Sequence, residues 1–130
     1  MIRIIVTEDN GIVRDGIVGL LHTQQDMLVV AEAENGLKAL EILKNGTVAD
    51  IMLADLNMPA MGGLTLTKEV AVAHADLKVI ILTMHQHASF VNRSFQAGAK
   101  GYVIKEADFE ELYSTIRKVF AGDTNVCAVF

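Results

Sequence analysis

The chain has no second cysteine to pair with Cys127, no cluster of lysine and arginine, and no apolar run near the roughly 18 residues that span a bilayer. A lone cysteine rules out an internal disulfide framework and suits a reducing compartment, where it reads as an inert thiol near one end. Basic charge is scarce: 11 Lys and Arg face 16 Asp and Glu, for a net charge of −5. That balance argues against nucleic acid as this domain's own partner, because a phosphate backbone calls for clustered cations. The opening run Ile2 to Val6 is too short for the core of a signal peptide. A soluble, cytoplasmic protein that touches no membrane is therefore expected. Repeats, low-complexity tracts and linkers are also missing from the first 122 residues.

What is present is an alternation of two periodicities. At 130 residues the chain is one domain, able to bury about two-thirds of its unfolded surface. Short Val/Ile/Leu runs at Ile2 to Thr7, Leu28 to Ala33, Asp50 to Asp55, Lys78 to Thr83 and Gly101 to Ile104 read as strands. Between them, apolar residues at helical spacing mark Asn10 to His22, a helix from about Gly36 closed by Asn45-Gly46, one from about Gly63 to Ala73, and one from about Ala88 to Ala97. A last helix opens at Asp108, with Glu111 three residues later as a capping box, and runs to about Gly122.

Continuous apolar strands separated by helices imply an α/β domain with a parallel sheet covered on both faces. Right-handed crossovers make it a doubly wound five-stranded parallel sheet, and the order 2-1-3-4-5 puts the ends of strands one and three at the switch point, where such folds place their sites. The strand ends are unusual. The first stops at Glu8-Asp9, the third at Asp55, the fourth at Thr83 and the fifth at Lys105. A carboxylate at the end of a buried strand is costly unless its charge is needed there. Each polar end also has an ordinary reading taken alone: Glu8-Asp9 or Asn10 as a helix cap, Thr83 as a β-branched strand residue, Lys105 as a surface lysine, Tyr102 as packing. Three carboxylates that converge must raise one another's pKa or share a cation, and oxygen-only ligands with room for water suit Mg²⁺. His85 and His87 lack a third close ligand and read as loop residues.

Two other classes share parts of this pattern. A haloacid-dehalogenase-like phosphatase needs a second acid two residues after its aspartate, where this chain has Asn57. A flavodoxin-like binding module needs a Ser/Thr/Gly-rich phosphate loop after the first strand, where Glu8-Asp9 would repel phosphate.

The set Glu8-Asp9, Asp55-x-x-Met58-Pro59 with Gly62-Gly63, Thr83, and Lys105 after Gly101-Tyr102 resembles the receiver domain of two-component response regulators. The separations, 46 residues from Asp9 to Asp55, 28 to Thr83 and 22 to Lys105, carry the match from Ile2 to about Gly122. The segments Leu82-Thr83-Met84-His85 and Ala97-Gly98-Ala99-Lys100-Gly101-Tyr102 are most similar to the NarL/FixJ (LuxR-type) branch. The resemblance implies that Asp55 accepts a phosphoryl group from a phosphohistidine of a sensor histidine kinase. It implies Mg²⁺ on Asp9, Asp55 and the Asn57 carbonyl, with Glu8 acting through water. It implies Lys105 and Thr83 as the groups that meet the phosphoryl oxygens, and Thr83 with Tyr102 as the switch. Glu106 stands where many receivers have proline, so a trans bond is expected there.

Such a domain catalyses only its own phosphorylation and slow dephosphorylation. Its expected output is transcription, through a DNA-binding domain that this chain does not include, with homodimerisation on phosphorylation. A stand-alone regulator acting by protein contact is the alternative. Residues 1–122 are expected to form the receiver, and 123–130, without a pattern of its own, a tail that docks as a short segment or the start of a linker; its apolar finish at Phe130 favours the longer protein.

Overall fold

A computed structural model describes residues 1–84, 87–105 and 108–128. Eleven elements alternate along it: β1 (Ile2–Thr7), α1 (Gly11–His22), β2 (Met27–Ala33), α2 (Gly36–Lys44), β3 (Ile51–Ala54), α3 (Gly63–Ala73), β4 (Lys78–Thr83), α4 (Ala88–Ala97), β5 (Gly101–Ile104), α5 (Phe109–Phe120) and β6 (Val126–Ala128). Helix starts follow side-chain chemistry. Asn10 accepts from the amides of Ile12 and Val13, and Asn35 from Lys38, so each offsets orphan donors of a first turn. Asp108 caps α5 as well, but its side chain accepts from Glu110 rather than from Glu111, so the expected capping box is not formed. Gly98 ends α4 at φ 114°, a conformation that L side chains avoid.

The strands are parallel and ordered β2-β1-β3-β4-β5-β6. The order expected from the sequence is found, with one strand added. Residues along each strand alternate between two cores. Ile4, Val6, Leu53, Ile80, Leu82 and Val103 face α1 and α5, while Ile5, Met52, Ala54, Ile81, Tyr102 and Ile104 face α2, α3 and α4. Both faces are covered, which is why these strands read as unbroken apolar runs.

The tail adds a further strand. After α5, Gly122 at φ 112° and Asn125 at φ 57° turn the chain back, and β6 then pairs in parallel with β5, Tyr102 opposite Cys127. Ala128 is buried in the α1/α5 core and Val126 packs against it, whereas Cys127 is exposed. Three residues are too few for a period-2 pattern to be legible. The apolar finish at Phe130 lies outside the described residues.

At the opposite end of the sheet, Asp50 ties three strands together. It accepts from the Arg3 amide at 2.9 Å, from Nε at 3.1 Å and from Nη2 at 3.0 Å, and its own carbonyl accepts from Lys78 at 3.1 Å. The hydrogen bonds from Arg3 hold the Asp50 carboxyl below the usual carboxylate range. A depressed pKa contributes stability that is present above the unfolded value, about 3.9, and is lost as pH falls through the folded one. Asp50→Asn should therefore melt below the parent at pH 7, and the two should converge as pH drops below about 4. A gap that persisted unchanged at about pH 2 would assign the effect to something other than this carboxylate.

Candidate functional site

The topology brings four strand ends to one edge. Thr7 is opposite Ala54 across β1 and β3, and the Asp55 amide donates to the Thr7 carbonyl at 3.2 Å, which sets Glu8 and Asp55 side by side. Thr83 is opposite Ile104 across β4 and β5, and the Lys105 amide donates to the Thr83 carbonyl at 2.8 Å. The edge lies where the strand order reverses, between β1 with its neighbour β2 on one side and β3 on the other.

Glu8, Asp9 and Asp55 each offer a carboxylate oxygen within 4.8 Å of the others. Lys105 reaches between them, its Nζ donating to Glu8 Oε1 and, at 3.1 Å, to Asp55 Oδ2. Glu8 is buried and its second oxygen accepts from the Asn10 amide at 3.0 Å. Burial pushes the Glu8 carboxyl up against the opposing pull of Lys105. Burial would lower the Lys105 ammonium, yet its hydrogen bond to Glu8 and the charge of Asp55 hold it above its ordinary value. The two shifts have different causes: burial of the Glu8 carboxyl, and the pairing of the Lys105 ammonium with Glu8 and Asp55. Three carboxylates against one ammonium leave two negative charges uncompensated within the cluster, and hard oxygen donors of that charge fit a small divalent cation.

The segment after Asp55 forms one wall. Asp9, Leu56, Asn57, Met58, Pro59 and Gly62 line an open depression of about 500 Å³ beside the carboxylates. Its turn is fixed from within: Met61 donates to the Pro59 carbonyl at 2.7 Å, and Gly63 to the Leu56 carbonyl at 3.0 Å. Gly63 lies so close to Asp55 that a Cβ there would stand 2.2 Å from the Asp55 carbonyl oxygen. Asn57 is exposed on this wall.

Thr83 is buried, on the same face of the sheet as Ile81, Tyr102 and Ile104. Tyr102 is not among the acidic groups; it is fully buried in the core that Phe90, Val91 and Phe95 of α4 pack against. Burial, with the nearby Cys127 and Asp55, pushes its phenol up to about 12. His85 and the bond before Glu106 lie outside the described residues. Sequence reasoning passed over Arg14, whose guanidinium holds the acidic loop from below. Its Nη1 donates to the Glu8 carbonyl at 2.8 Å and its Nε lies 3.4 Å from Glu32 Oε1. The only available signal was an arginine one turn into the helix after an acidic pair.

Comparison with known proteins decides the family. The model of the response regulator receiver domain matches residues 4–117. The chain belongs to that family. The receiver is 37% identical over 122 residues to the response regulator GacA of Pseudomonas aeruginosa, covering 94% of this chain and 56% of that protein. It thus spans just over half the length of such relatives. Among solved structures, a LuxR-family two-component response regulator from Aurantimonas sp. SI85-9A1 superposes with a TM-score of 0.89 at 35% identity, covering 94% of this chain and 86% of that one. A DNA-binding response regulator of the LuxR family from Staphylococcus aureus gives 0.85 at 30% identity, covering 92% and 99%. These relatives agree with the NarL/FixJ, LuxR-type branch. Among the described residues, no helix of the receiver is long and apolar enough to cross a membrane.

Proposed function

We propose that this receiver accepts a phosphoryl group on Asp55 from the phosphohistidine of a sensor histidine kinase and thereby switches an output. The observation that carries the reading is the Asp55 carboxylate, held 3.1 Å from the Lys105 ammonium and beside two further acids. In the transfer, an Asp55 carboxylate oxygen bonds to phosphorus as the bond from phosphorus to the histidine nitrogen breaks, and that nitrogen leaves with the electron pair. The transition state is loose, with charge on the equatorial oxygens, so positioning and neutralisation supply most of the catalysis. Lys105 meets one of those oxygens, and Thr83 moves its hydroxyl toward another.

Mg²⁺ fits the donor set, with Asp9, Asp55 and the Asn57 carbonyl as direct ligands and Glu8 acting through water. When bound it neutralises the carboxylates and the incoming oxygens. The domain is a phosphoacceptor rather than a turnover enzyme. Asn57, polar but not acidic, provides no general base, so the acyl phosphate is lost slowly unless a partner intervenes.

A phosphoryl group adds about −1.5 to −2 charge, which Lys105 and Thr83 follow inward. Tyr102, on the same face of the sheet as Thr83, turns into the space left behind Thr83. The face of α4, β5 and α5 then changes shape and favours self-association or the release of an output domain. Transcription through a DNA-binding domain is the output best supported, given the LuxR-family relatives.

The test is incubation with Mg²⁺ and a small phosphodonor, read by mass spectrometry and by melting. A gain of about 80 Da on Asp55 is expected, together with a stabilisation of roughly 1–3 kcal/mol from Mg²⁺ well above its Kd. Asp9→Asn should lose most of that stabilisation. A melting temperature indifferent to millimolar Mg²⁺ would remove the metal site, and a label on another residue would move the nucleophile.

A further inference from the structure

The acidic pair Glu8-Asp9 sits in a short turn between β1 and α1, and its geometry depends on what holds its backbone. Two of the holds come from the main chain. The Glu8 amide donates to the Ala33 carbonyl at 3.0 Å, and the Asn10 amide donates to Glu8 Oε2 at 3.0 Å. The carbonyl of the peptide joining Glu8 to Asp9 is held by a side chain, Arg14, through Nη1 at 2.8 Å.

The placement of that guanidinium is informative. It folds back over the first turn of α1, 3.8 Å from where a Cβ on Gly11 would stand. A cation at a helix N-terminus opposes the helix dipole, and α1 carries no acidic residue in its first turn to offset it. What compensates is the acidic loop above and Glu32 on β2 beside it, 3.4 Å from Nε. Glu8 is fixed independently, by burial and by Lys105. Asp9 is exposed, and its carboxyl lies beside that of Glu8, with which it interacts.

We infer that Arg14 is the positioning residue of Asp9: by fixing the Glu8–Asp9 peptide it sets the direction of the Asp9 carboxylate toward Asp55, and so sets the affinity of the cluster for Mg²⁺. The inference rests on the metal-dependent reading above. Groups that orient metal ligands without touching the ion commonly change affinity tenfold or more when removed. The effect belongs to binding, so phosphoryl transfer at saturating Mg²⁺ is unaffected.

The experiment uses the full chain, as the parent and as Arg14→Ala, Arg14→Lys and Glu32→Gln. Mg²⁺ is titrated calorimetrically, melting is followed without metal, and labelling by a small phosphodonor is measured across Mg²⁺ concentrations. Arg14→Ala should raise the Mg²⁺ Kd about tenfold while labelling recovers to the parental rate at high Mg²⁺. Arg14→Lys keeps the charge but presents one point donor in place of the fork, so its Kd should fall between the two; it also serves if the alanine variant fails to fold. Glu32→Gln leaves the bond to the Glu8 carbonyl intact and should bind Mg²⁺ as the parent does.

A parental Kd in Arg14→Ala overturns the inference. So does an equal loss in Glu32→Gln, because the tie to β2 would then be what matters, and so does a labelling rate that stays depressed at saturating Mg²⁺. A parent that binds no Mg²⁺ at all overturns the metal reading itself, a result distinct from the other three.

Discussion

Replacing Asp55 with asparagine is expected to abolish phosphodonor labelling while the fold is kept. The amide matches the carboxylate in size, but its oxygen is not a nucleophile of comparable strength and it carries no charge to hold the ammonium of Lys105. Lys105 keeps its partner Glu8 in that variant, so no buried cation is stranded. One of three mutually repelling carboxylates is removed at the same time. Melting without Mg²⁺ should accordingly hold or rise, and the stabilisation by Mg²⁺ should shrink. Full-strength labelling of Asp55→Asn would sink the assignment of the nucleophile, whereas loss of folding would leave the site's charge balance misjudged.

Gly63→Ala is expected to be nearly as damaging, for a steric reason. The added methyl would stand 2.2 Å from the Asp55 carbonyl oxygen and 3.1 Å from the Leu56 Cα, and the obstructing atoms are backbone, which cannot swing aside. Relief demands that the start of α3 or the end of β3 move. Overpacking of this kind costs roughly 1–3 kcal/mol, and the displaced peptide is the one that carries Asp55. Labelling should fall together with stability. Gly16, exposed in the interior of α1 with nothing within 4 Å of a Cβ, is the matched control. Gly16→Ala should stabilise by about 0.5–1 kcal/mol, since alanine loses less backbone entropy in a helix. Chemical denaturation of the two variants in parallel checks the contrast. A Gly63→Ala protein as stable as the parent would mean that the turn has slack its close contacts do not suggest.

Much of this architecture is written in the order of the residues. Apolar runs of four to seven residues and helical stripes are local signals, so β1, β4, β5, α3 and α4 fall where periodicity puts them. The strand ends at Glu8, Asp55 and Lys105 were legible because a charge that closes a buried strand is costly unless it is needed there. What escaped was non-local. The strand β6 is held by pairing with β5 and by the burial of Ala128 against α5, neither of which leaves a pattern in a three-residue segment. The role of Arg14 depends on how its long side chain folds back over Gly11. The pairing of Lys105 with Glu8 as well as Asp55 depends on strand order. Asp108 chose the nearer amide of two that its sequence context offered.

The short β6 strand also bears on how the chain avoids sticking to itself. Every residue of β5 is buried, and a strand of that kind left at the margin of a sheet is a template for uncontrolled pairing with other chains. Here, among the described residues, that margin is covered by Val126, Cys127 and Ala128, which pair with β5. The far margin is β2, which carries Glu32 toward solvent, a charge that discourages stacking. Protection against edge-to-edge aggregation is thus a second property of the sheet's layout, and on one side it rests on Val126, Cys127 and Ala128.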